Sequence, residues 1–139
     1  MNFSNALELG FTDMTPLVGS QCVSIAKNDG KAYCVKIESN KAVVCTIAGE
    51  VLQRCDVEST NAWYTGGRCF FQKQSGGVRY HDGDIWRDIG NGQYRDVACV
   101  ENGLCYFLTA STSDLYESVS IAAYPLLWDP VITGIIWTS

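Results

Sequence analysis

Apolar and polar residues alternate along this chain in short bursts of strand length, and each burst ends in a turn signal. Cys22-Val23-Ser24-Ile25-Ala26 leads into Asn28-Asp29-Gly30, Asn61-Ala62-Trp63-Tyr64 into Thr65-Gly66-Gly67, and Asp96-Val97-Ala98-Cys99-Val100 into Glu101-Asn102-Gly103. After each turn comes a run that mixes cysteine with aromatics: Ala32-Tyr33-Cys34, Cys69-Phe70-Phe71 and Cys105-Tyr106-Phe107. Such runs, bounded by polar turns ending in glycine, predict tight hairpins, because short hairpin loops need residues with positive φ. The turn glycines stand at 30, 67 and 103, a period of about 37 residues that falls in the range of repeat architectures.

A second hairpin follows in each unit. Residues 41–47 turn at Ala48-Gly49 into 51–57, and residues 78–81 turn at Asp82-Gly83 into 84–89. The third is looser, with 115–119 followed by 126–131. The pattern predicts one all-β domain over 1–139, made of three four-stranded antiparallel repeats at roughly 20–58, 59–92 and 93–132. Helical periodicity is almost absent; its one candidate, 4–9, is too short to stand alone. Phe11-Thr12-Asp13-Met14 echoes Trp86-Arg87-Asp88-Ile89 and predicts a fourth strand without its own repeat. At the other end, 133–138 reads as a first strand with no repeat after it.

The segment Tyr80-His81-Asp82-Gly83-Asp84-Ile85-Trp86-Arg87-Asp88-Ile89-Gly90, followed by the hairpin around Gly103, resembles a blade-to-blade junction of a β-propeller. The resemblance implies that Asp-Gly turns the outer hairpin and that Trp86 packs between blades. The first repeat departs from it, with Arg54-Cys55 where the second has Trp86. Propeller rings take four to eight blades, so three repeats imply two chains sharing one ring, their unmatched terminal strands closing the seams. A β-trefoil is the alternative, since it closes three four-stranded repeats within one chain. Gly-Arg-Cys and Gly-Leu-Cys resemble ricin-type lectin repeats, although the Gln-x-Trp signature of that family is absent and Gln53-Arg54-Cys55 comes nearest. Another sandwich or barrel stays open as a third arrangement.

Composition narrows the function. Hydrophobic residues make up 47% and charged ones 18%, which excludes a disordered chain. A net charge of −5 with scattered Lys and Arg argues against a nucleic-acid partner, which needs clustered cations. No run of eighteen apolar residues predicts a membrane span. The opening Met1-Asn2-Phe3-Ser4-Asn5 lacks the charged and apolar segments of a signal peptide, so synthesis in the cytoplasm is expected. Seven cysteines, an odd count in a chain expected to stay reduced, are read as buried free thiols behaving as small hydrophobes.

Candidate chemistry is sparse. His81 with Asp82 and Asp84 could hold a metal or form an acid–base pair, but Asp82-Gly83 is fully accounted for as a turn. Cys69 or Cys105 could pair with His81, yet both cysteines fall inside strands. No nucleophile elbow or phosphate loop is present, so no catalytic residue, metal or cofactor is expected. Among the aromatics, Trp63, Tyr64 and Tyr94 are the candidates for a sugar- or protein-binding surface, while Trp86 and Trp128, at equivalent repeat positions, are assigned to packing between sheets. Phe11, Ile135, Ile136 and Trp137 are the candidate oligomer contacts, because the apolar ends need cover. Small acidic propeller-like repeats that tolerate cysteine resemble accessory virion proteins of tailed bacteriophages, such as tail, fibre or capsid-decoration components. That resemblance implies a non-enzymatic platform in a homo-oligomer or larger virion assembly. The rival reading is a lectin with repeat-related glycan sites.

Overall fold

The computed structural model describes residues 10–19, 22–100, 103–112 and 117–126. These residues are all-β apart from one helical turn. Among them eleven strands form three antiparallel sheets in chain order. The first sheet holds β1 (Cys22–Asn28), β2 (Lys31–Glu38), β3 (Lys41–Thr46) and β4 (Val51–Arg54). The second holds β5 (Ser59–Thr65), β6 (Arg68–Lys73), β7 (Val78–His81) and β8 (Trp86–Ile89). The third holds β9 (Tyr94–Cys99), β10 (Leu104–Thr112) and β11 (Glu117–Pro125). Every strand pairs with its neighbour in sequence, so each sheet is a meander.

Turn chemistry dictates this connectivity. Asp29-Gly30 and Gly66-Gly67 both have positive φ at their two central positions, the type I′ geometry whose twist matches that of paired strands. The third hairpin closes differently: the Gly103 amide donates to Val100 O at 3.1 Å and the Val100 amide to Leu104 O at 2.9 Å, with Gly103 at φ 80°. The same bulged turn recurs at Thr46–Glu50 and Lys73–Gly77.

The sheets stack face to face. Ala26, Val35, Ala42 and Val44 of the first sheet meet Ala62, Cys69 and Phe71 of the second. The opposite face of the second sheet supplies Phe70, Val78, Tyr80 and Ile89, which meet Val97, Cys105 and Phe107 of the third. Adjacent residues of β6 therefore serve different layers, which explains why Cys69-Phe70-Phe71 is apolar without alternation: both faces of that strand are buried. The first strands also neighbour one another, β1 beside β5 and β5 beside β9. Their hairpin tips are tied by Gly67 N–H to Asn28 Oδ1 at 3.1 Å and Cys99 N–H to Thr65 Oγ1 at 3.0 Å.

Several expectations are corrected. Among the described residues the three sheets are separate and do not close on one another. Three strands, not four, form the third sheet among the described residues, because 117–125 is one long strand against β10 and not the end of a second hairpin. Residues 11–14 are not a strand. Asp13 Oδ1 accepts the Thr15 amide at 2.9 Å, and Pro16 helps to start the helical turn α1 (Thr15–Val18). The cysteines are not all free. Cys22 is joined to Cys34 and Cys99 to Cys105, leaving Cys45, Cys55 and Cys69 as buried thiols. Register explains the second bond. Cys99 lies opposite Cys105 with its amide turned to Thr65, a non-hydrogen-bonded position where side chains across the ladder come closest. The expected segments 4–9 and 133–138, and all but Leu126 of the expected strand 126–131, lie outside the described residues.

Candidate functional site

At one end of the layer between the first and second sheets, the packing opens into a cleft of about 330 Å³. The outer strand β4 supplies Leu52 and Gln53, the β5–β6 hairpin supplies Tyr64, Gly67, Arg68 and Cys69, and the β7–β8 turn supplies His81 and Gly83. The β7–β8 turn is built by Asp82, whose Oδ1 accepts the Asp84 and Ile85 amides, each at 2.8 Å, while its other oxygen pairs with Arg87. The Ile85 amide first, then Arg87 and the Asp84 amide, hold the Asp82 carboxyl well below the usual range. That carboxylate is therefore committed to the turn, and no metal-binding group of His, Cys, Asp and Glu occurs among the described residues.

His81 is fixed by two contacts. Its Nδ1 accepts the Gly83 amide at 3.0 Å, and its ring meets Trp86 edge-on at 5.2 Å. An imidazole that accepts at Nδ1 carries its proton on Nε2, so His81 offers a single donor. Tyr64 stands edge-on to Tyr33 at 4.7 Å between their centroids. Desolvation, followed by the proximity of Cys69 and Tyr33, raises the Tyr64 hydroxyl above its ordinary range. Burial pushes the Cys69 thiol up to about 12, which keeps it protonated at neutral pH and so a poor nucleophile. Cys69 and His81 thus line one cleft without the activation a cysteine hydrolase requires; Cys105, the other candidate, is bound to Cys99. Arg68 is the one formally charged lining residue, and its guanidinium lies 5.8 Å from the Tyr80 ring, a residue of the opposite layer.

The remaining candidates are dispersed. Trp63 and Tyr94 are half-buried against the core between the second and third sheets, so only Tyr64 of the three aromatics lines the cleft. Trp86 packs on the other layer, with Phe71 at 6.0 Å and the Arg79 guanidinium at 5.6 Å. Phe11 is fully exposed; Trp128, Ile135, Ile136 and Trp137 lie outside the described residues.

Two outer faces complete the functional inventory. On the third sheet, Cys105 and Phe107 point inward, while Tyr106, Leu108, Ala98 and Ile121 line a shallow groove on the other side. Ile121 is 71% exposed there. At the opposite end of the stack, Val18 of α1 covers Cys34 and Cys45. Val23 and Ile25 stay exposed beside that covered patch, Ile25 lining a cleft with Thr12, Met14 and Val18.

Sequence reasoning missed Gln72, which is almost fully buried. Its amide nitrogen lies 3.0, 3.2 and 3.0 Å from Lys73 O, Gly77 O and Gly92 O, and its oxygen accepts the Tyr94 amide at 2.9 Å. It fastens the second sheet to the segment that enters the third. A lone glutamine in a strand carries no pattern that would have marked it. No family model, curated protein or solved structure matches the chain.

Proposed function

We propose that this chain is a non-enzymatic structural module that assembles with a second copy of itself, each contributing three blade-like sheets to a shared propeller-like ring. The observation that carries the reading is the apolar outer face of the third sheet, where Tyr106 and Ile121 stand exposed beside the half-buried Leu108. Inside the chain, faces of this kind are covered by the next sheet. An uncovered one at the end of the stack invites the same solution from outside.

The far end of the stack supplies a complement. Val23, Ile25, Met14 and Leu17 are exposed on or beside the first sheet. Two chains related by a twofold axis would set each third sheet on the other's first sheet, and both contacts would then be identical and the assembly closed. The order of sheets along the chain and the neighbouring first strands support the blade-like comparison. A protonated Cys69 and an Asp82 occupied by its own turn support a module that does no chemistry. The tailed-phage virion setting rests on resemblance alone, and co-purification with a large particle is the observation that would support it.

Sedimentation or light scattering tests the assembly. The unmodified chain is expected at twice the mass of one chain, and Ile121→Lys is expected at the mass of one with an unchanged β-sheet circular dichroism spectrum. A strict monomer, or a dimer that Ile121→Lys leaves intact, overturns the proposal.

A further inference from the structure

We infer that the cleft between the first and second sheets is a binding site for a small hydroxyl-rich molecule without positive charge, a sugar or polyol. Three neutral polar groups belong to residues that line it: the Gln53 amide, the Tyr64 hydroxyl and the Nε2–H of His81. No hydrogen bond joins any of these three groups to another described residue. They come from three separate hairpins, so the site exists only because two sheets are stacked.

Their chemistry selects the ligand class. An amide and a phenol each donate and accept, and the imidazole adds one directed donor. That mixture matches hydroxyl groups, which also do both. Leu52 and the Tyr64 ring give the apolar edge on which the C–H face of a sugar ring can lie. Charge is the discriminating feature. No carboxylate or lysine lines the cleft. The Arg68 guanidinium sits over Tyr80, and Asp82 is held by Arg87 and two amides. A cation entering here would lose its hydration and meet only the like charge of Arg68, a penalty that a neutral polyol avoids. At about 330 Å³ the space lies at the small end of ligand sites, which run from roughly 300 Å³ upward, and so takes a single ring.

The chain's one histidine gives a unique reporter. Imidazole ¹H–¹³C signals would be followed by NMR while methyl α-D-glucopyranoside or methyl β-D-galactopyranoside is added to the intact chain. Glucosamine serves as the cationic counterpart. At least one neutral glycoside is expected to shift the His81 signals saturably below roughly 100 mM, a concentration that fills a millimolar site. Gln53→Ala and Tyr64→Phe, which leave the cores in place, are each expected to weaken that binding about tenfold, the loss of one well-made hydrogen bond. Glucosamine should bind at least about tenfold more weakly than the neutral glycoside. Absence of any saturable shift, wild-type titration by both variants, or equal binding of glucosamine overturns the inference. The cleft lies within one chain, so these outcomes do not depend on whether that chain dimerises.

Discussion

Replacing Gln72 removes the one side chain that bonds simultaneously to its own strand, to the β6–β7 turn and to the entry of the third sheet. The cost can be worked bond by bond. Lys73 O, Gly77 O and Gly92 O each keep a second donor, namely the amides of Gly76, Lys73 and Gly77. The Tyr94 amide does not; its described acceptor is Gln72 Oε1. In Gln72→Ala the largest penalty is therefore one orphaned N–H, with a side-chain-sized void added to it. Together these come to about 2–4 kcal/mol. For a chain of this size that lowers the melting temperature by roughly 10 °C. Gln72→Glu separates shape from chemistry. It keeps the oxygen for Tyr94 but sets a carboxylate against three carbonyl oxygens. The folded state then favours the protonated acid, raising its pKa above the unfolded value of about 4.3. The sign follows from linkage: the variant approaches wild-type stability below that value and loses ground as pH rises through the raised folded pKa. Urea denaturation of both variants at about pH 4 and pH 7 measures the effect. A Gln72→Ala cost under about 0.5 kcal/mol, or a Gln72→Glu deficit that does not grow with pH, would refute the reasoning.

Other consequences are open to direct measurement. Thiol titration of the unfolded, unreduced chain should find three reactive cysteines, Cys45, Cys55 and Cys69, and seven after reduction; seven before reduction would remove both disulfides. Replacing Cys99 and Cys105 together by alanine should cost about 2 kcal/mol by the loop-closure relation, and replacing Cys22 and Cys34 slightly more because they close a longer loop. Gly77→Ala should be more damaging than either, because the new Cβ would sit 2.6 Å from Gly90 O at a residue with φ 86°; a melting temperature within a degree or two of wild type would refute that approach. The Asp82 carboxyl, followed by ¹³C NMR, should titrate below the ordinary 3.8. Its stabilising contribution is present above that value and lost as pH falls through the depressed midpoint; a midpoint at or above 3.8 would show that the turn is not holding the carboxylate.

What the sequence made legible is what local chemistry decides. Asp29-Gly30 and Gly66-Gly67 read as hairpins because positive φ is a demand of the turn itself, independent of anything distant. The unbroken apolar runs at Val43-Val44-Cys45 and Cys69-Phe70-Phe71 already carried the mark of strands covered on both sides. The failures fall where distant partners decide. Phe11 to Met14 resembled a strand by composition, but with Asp13 and Pro16 starting a helical turn just after it, it became something else. The cysteine bonds depend on cross-strand register, which an odd count cannot reveal. His81 attracted notice as a metal ligand, whereas its place in the fold is beside Gln53, a residue far away in sequence that nothing local connects to it.

The layered use of β6 has a consequence for how the chain acquires its shape. Each meander can assemble from a contiguous stretch as it is synthesised, and its strand pairings are local. The second meander is different from the first, because Phe70 and Phe71 face opposite ways and each takes its cover from a different neighbouring sheet. Nucleation at the middle is therefore unfavourable, and growth from one end would leave a sticky Phe70 face waiting for residues 94–107 to emerge. A halted or truncated chain ending near residue 90 should aggregate more readily than one ending near 58, the interval during which a nascent chain most needs a chaperone.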